Sequence, residues 1–177
     1  MKLTRAERWI LSNQFHILEA LYPDEAETFQ KAREVVEAGY ELNYDWITEH
    51  ISPDNRMLND EECREVIDIL AMFSALKDSF QNLLDTLGIE EQDVTFSGFD
   101  GSIETAQRDY VLFLVDREHK FLSLDRGQDF TSDRPRLDAY RRMLVEWRIS
   151  GESYDLAKED IMRIVSVGYP ENRQRPV

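Results

Sequence analysis

The chain has 177 residues, 42% of them hydrophobic and 32% charged, the composition of an ordered globular protein rather than a disordered one. A net charge of −15 argues against direct nucleic-acid binding, which needs clustered Lys and Arg to displace counterions from the phosphates. The lone cysteine, Cys63, leaves no internal disulfide, and no window approaches the roughly 18 apolar residues of a membrane span, so the cytoplasm is the expected compartment.

Seven Gly and five Pro are few for this length and favour long uninterrupted helices. The start of the chain has basic residues, but its apolar run "WIL" is too short for the core of a secretory signal. "TRAE" at 4–7 has the form of a capping box, in which Thr4 accepts from a helical amide and Glu7 reaches back. The helix it opens carries Ile10, Ile17 and Leu21 beside Leu11, Phe15, Leu18 and Tyr22, a broad apolar face. Pro23 stops that helix, and "DEAE" at 24–27 repeats the box logic for a second one ending at Gly39. "WITEHI" then predicts a short helix and "SPDNR" a loop.

Asn59 with Glu62 opens the longest periodic segment. Ile69, Phe73, Leu76, Phe80, Leu83 and Leu87 alternate steps of four and three, with Val66, Leu70 and Leu84 widening the stripe. Gly88 is its expected end, which predicts a helix of about 40 Å. "VTFSGFDG" at 94–101 breaks the helical rhythm. The following "SIETAQRDYVLFLVDREHKF" reads as a buried helix, since Ile103, Ala106, Tyr110, Phe113 and Leu114 keep helical spacing. "SLDRGQDFTSD" is a loop, and Pro135 fits the first turn of a helix bearing Leu137, Tyr140, Leu144 and Trp147. A final helix holds Leu156, Ile161, Ile164 and Val165. The pattern predicts an all-α fold, a single multihelical domain over 1–168 with about six to seven helices, one long central helix and a mobile tail at 169–177.

The negative charge is concentrated in the middle of the chain. Residues 24–65 carry −9 and residues 66–100 carry −6, whereas 1–23 and 135–177 are each +1. A solvated acidic face that aids solubility accounts for such blocks, and a surface for a basic partner is the sharper alternative.

No motif here carries chemistry. The three histidines, His16, His50 and His119, include none in a Glu-x-x-His arrangement, and there is no Cys pair, so neither a metal nor a cofactor is expected. "FSGFDGS" lacks the Lys and spacing of a phosphate-binding loop, and Ser97 has no Gly two places before it, as a nucleophile elbow requires. Cys63 sits among Asp60, Glu61 and Glu62, which oppose a thiolate, so a buried structural thiol is expected. A helix-turn-helix around residues 35–51 is discarded, because its second helix offers Asp45 and Glu49 where a base reader needs Arg, Lys or Asn.

"LSNQ" at 11–14, "CREVIDI" at 63–69, "VTFSGFD" at 94–100 and "YRRMLVEW" at 140–147 resemble, in this order, the YfbU family of bacterial proteins. The resemblance covers most of the chain. It implies a cytosolic, helical bacterial protein, and it carries no reaction and no catalytic residues.

Four side chains are the candidates for a pocket or an interface: Asn13, Gln14, Phe99 and Asp100. Asn13 and Gln14 beside an apolar face suit either buried groups that set helix register or the lining of a polar pocket. Phe99 suits either a pin for the loop or a contact for a partner, and Asp100 or Ser102 suits a cap for the next helix. Three functions stay open. The leading one is a self-associating protein-interaction or regulatory module, a homo-oligomer with a further protein partner in reserve. The second is a small-molecule binder or enzyme with a polar site between helices. The third is an acidic surface for a basic partner.

Overall fold

The computed structural model describes residues 2–51, 57–124, 127 and 129–168. Among them the protein is all-α, with seven α-helices and a single pair of two-residue strands. The expected loop "SPDNR" and the expected mobile tail lie outside the described residues. By its internal contacts the chain divides into two compact units, Met1–Asn55 and Arg56–Val177.

The first unit is a helical hairpin. Helix α1 (Arg5–Leu21) starts at the predicted box: Thr4 accepts from the Glu7 amide, and the Glu7 carboxylate accepts from the Thr4 amide at 2.7 Å. The second box does not form. Pro23–Glu25 instead make a 3-10 turn, and α2 (Ala26–Ala38) begins after Glu25 without any side-chain cap. A proline fixed at φ near −65° favours that tight turn, which takes Asp24 out of capping position. Gly39, at φ +76°, closes α2 in the left-handed conformation expected of a C-terminal glycine. Arg8 meets the carbonyls of Val36 and Glu37, Ser12 meets Glu37, and Glu19 meets Arg33, so the two helices run antiparallel. The short helix α3 covers Tyr44–Ile47, two residues earlier than "WITEHI" predicts. Val35, Val36 and Tyr44 form the buried cluster here, backed by Leu3, Leu11, Phe15 and Ile47.

The second unit surrounds α4 (Asp60–Asn82). Asn59 caps it with the predicted box, accepting from Glu62 at 2.9 Å. Val66, Ile69, Leu70, Met72, Phe73, Ala75 and Leu76 are fully buried along it, and α5 (Thr105–Leu112), α6 (Leu137–Ile149) and α7 (Lys158–Gly168) pack against it. Arg142 of α6 donates to the Val167 carbonyl near the end of α7, and Arg163 pairs with Glu146 at 3.2 Å. A parallel two-residue bridge joins β1 (Phe99–Asp100) to β2 (Thr131–Ser132).

Helix α4 ends at Asn82 rather than at Gly88, which makes it about 34 Å long. Leu83 is extended, the Asp85 carboxylate accepts from the Leu87 amide at 2.9 Å, and Lys158 holds Asp85 at 2.6 Å. An Asp side chain that satisfies an amide two residues on competes with the helix ladder, and here it wins. Leu84 and Leu87 therefore point to solvent instead of widening the stripe. Ile103 likewise lies before α5 in a turn and is exposed. Residues Phe113–Arg117 continue α5 as a π-helical turn, a wider coil that periodicity does not reveal. Pro135 precedes α6 by two positions instead of occupying its first turn.

Candidate functional site

Two places merit consideration, one in each unit. In the second unit six of the eleven residues of segment 94–104 are buried. Val94, Phe96 and Phe99 are buried, and Phe99 is wholly so. Phe73, Phe96, Phe99, Phe130 and Tyr140 make one aromatic cluster, with Phe99 and Tyr140 edge-on at 5.6 Å and Phe73 and Tyr140 at 5.0 Å. The Tyr140 hydroxyl donates to the Gly98 carbonyl at 3.0 Å, which satisfies a buried polar tip. Gly98 has φ +82°, and a β-carbon there would stand 2.0 Å from the Phe130 carbonyl oxygen. Only glycine lets the two backbones meet, and the Phe99 amide then donates to that oxygen at 2.9 Å.

The polar side chains of this segment close on its own backbone. Asp100 is buried, and its Oδ1 accepts from the Ser102 hydroxyl at 2.6 Å and from the amides of Ser102 and Ile103. The Ser102 hydroxyl, then those two amides, hold the Asp100 carboxyl below its ordinary value of 3.8. Asp100 thus caps the turn before α5 rather than the helix itself, whose N-cap position is Glu104. Glu104 was not legible as a functional residue, and it is the more consequential acid. It is 5% exposed, and its carboxylate accepts from the Asp100 amide at 2.9 Å, the Arg136 amide at 2.9 Å and the Leu137 amide at 2.7 Å. One side chain thereby joins the start of α5 to the start of α6, where a negative charge is also favoured by the helix dipole. Its only sequence signal is an acid at the mouth of a helix. Phe99 and Asp100, two of the four candidates, accordingly sit together in a filled interior, with their groups engaged by the fold.

The other two candidates lie in the first unit. Asn13 and Gln14 are exposed on α1, so they neither set register within the hairpin nor line a closed pocket. Their neighbour Ser12 has the inward position: its hydroxyl donates to Glu37 at 2.7 Å. That hydroxyl, with the Arg33 guanidinium behind it, keeps the Glu37 carboxyl below its ordinary range. Arg5, Arg8, Trp9, Ser12, Val36 and Glu37 line a shallow cleft of about 260 Å³. Arg8 is occupied there, donating to the carbonyls of Val36 and Glu37 at 3.3 Å and so completing the end of α2.

The outer face of α1 is different in kind. Trp9, Ile10, Ile17 and Leu21 are 69, 52, 58 and 65% exposed, although the helix already packs Leu11 and Phe15 inward. Cys63 is half-buried rather than buried, with its Sγ 3.8 Å from the Leu58 carbonyl. Among the described residues no group of three His, Cys, Asp or Glu side chains is placed to hold a metal, and no helix is long and apolar enough to cross a membrane. In comparison with known families, the profile of the YfbU domain matches residues 1–167.

Proposed function

The chain belongs to the YfbU family, and on that footing we propose that it is a self-associating helical module that acts through protein–protein contacts. The observation that supports this reading is the outer face of α1, where four large apolar side chains are each more than half exposed on a regular helix. A helix with apolar residues on both sides is normally covered on both sides, because exposed apolar surface of this extent favours association.

A second reading has the α1–α2 cleft as its support: a small anionic, flat molecule that rests on Trp9 beside the Arg5 guanidinium. Native mass spectrometry of the protein over a micromolar concentration series tests both. A defined oligomer without adducts is expected, and the Ile17→Lys variant is expected to be monomeric at the same concentrations. A wild-type monomer throughout refutes self-association, and a retained small molecule transfers the case to the cleft.

A further inference from the structure

Helix α1 uses one side for α2 and, among the described residues, leaves the other exposed. At 100° per residue, Arg8, Ser12 and Glu19, which bond to α2, share a side with Leu11 and Phe15. The opposite side carries Ala6, Trp9, Ile10, Asn13, Ile17 and Leu21, and no charged residue. Resting on the self-association proposed above, we propose that this face is covered by α1 of a second copy, running antiparallel, with Asn13 and Gln14 of each chain meeting at the two-fold axis.

The pattern is self-complementary about one point. The helix runs from Arg5 to Leu21, and Ile10 and Ile17 stand at equal distances from the midpoint between Asn13 and Gln14. With that midpoint on the axis, Ile10 faces Ile17 of the copy, and the small Ala6 faces the large Leu21. Asn13 then faces Gln14, and two amides can exchange donor and acceptor across the seam. A polar pair within an apolar seam fixes register and partner number. This gives the exposed Asn13 and Gln14 a role that the hairpin alone does not.

Charge selects the direction. Lys2 and Arg5 precede or open α1, and Asp24 and Glu25 follow it, all four exposed. Antiparallel pairing brings the basic end of each helix to the acidic end of the other. Parallel pairing would bring Lys2 and Arg5 of both copies to the same end and align the two helix dipoles. Residues 1–23 carry only +1 within a chain of −15, so this segment is where two copies can approach with the least repulsion.

The first unit also lacks the interior to close by itself. Among the described residues its buried apolar side chains are Ala32, Val35, Val36 and Tyr44, in a unit of 55 residues. Units of that size seldom stand on so small a core, and pairing through the outer side of α1 sets four helices side by side in the order α2, α1, α1, α2, so that each α1 is covered on both sides. A large side chain presents roughly 150–250 Å², so Trp9, Ile10, Ile17 and Leu21 leave about 450 Å² uncovered. With Ala6, Asn13, Gln14 and Ala20 included, two copies can bury up to about 1,200 Å² in total, the size at which stable interfaces begin.

The test uses the unaltered protein first. Equal amounts of isotopically light and heavy protein are mixed, equilibrated and treated with a carbodiimide, which joins amines to carboxylates. Mixed-isotope peptides linking Lys2 to Asp24 or Glu25 are expected. The second measurement uses Ile10→Cys and Ile17→Cys, each in a Cys63→Ser background, mixed and oxidised. The disulfide that joins position 10 of one chain to position 17 of the other is expected to exceed either same-site disulfide several-fold. Predominant same-site disulfides, with no mixed-isotope Lys2 link, overturn the antiparallel arrangement while the oligomer itself remains. Absence of any oligomer in the native mass spectrum overturns the self-association and this arrangement with it.

Discussion

Gly98 and Asp100 are both held closely by their surroundings. A β-carbon at Gly98 would overlap the Phe130 carbonyl, and its φ of +82° disfavours any other residue. Gly98→Ala must therefore either separate β1 from β2 or distort the aromatic cluster, at a cost of about 3 kcal/mol or more. Urea denaturation of the variant against wild type measures this, and an unchanged midpoint would refute the close approach. Asp100 makes stability depend on acid. Its folded-state carboxyl titrates below 3.8, so the unfolded chain binds its proton first as pH falls. The stabilisation is complete above the unfolded value and is lost as pH drops from about 3.8 through the folded value. Asp100→Asn removes this dependence, so the stability gap between wild type and variant should narrow between pH 5 and about pH 3. A constant gap across that range would show that Asp100 gains nothing from its charge.

At the scale of elements, capping was legible because it is local. Thr4 with Glu7 and Asn59 with Glu62 each form a box whose partners lie three residues apart. The end of α4 was not legible, because apolar spacing continues smoothly through Leu84 and Leu87 while Asp85 diverts the backbone. The two halves of that stripe should respond differently to truncation. Leu76→Ala, within the core, should cost about 2–5 kcal/mol. Leu84→Ala, fully exposed, should stay within about 0.5 kcal/mol. Chemical denaturation of both variants checks this, and a large loss at Leu84 would mean that α4 runs on to Gly88. The DEAE box failed for a related reason: Pro23 takes the preceding turn into 3-10 geometry before the box can close.

For the whole molecule, a charge of −15 opposes any association between copies. Each exposed ion pair at an α1 seam contributes little by itself, so the long-range repulsion governs the salt response. Raising salt from about 20 mM to about 500 mM shortens the screening length several-fold and should tighten the oligomer. Sedimentation equilibrium at the two salt concentrations measures the change. Weakening with salt would indicate that attraction between opposite charges holds the copies together.

The family membership is supported by a match over residues 1–167, and the all-α class follows from signals spread along the chain. Caps, glycine stops and apolar spacing specify α1, α2, α4, α6 and α7 because each depends on residues within a turn or two of one another. Only the tertiary structure decided that Phe99 points inward and that Glu104 joins α5 to α6, and only it left the outer side of α1 exposed. Those outcomes depend on partners such as Phe130, Arg136 and Val36, which lie some 30 residues away along the chain. An apolar stripe states that a face wants burial, and the fold alone determines which face receives it.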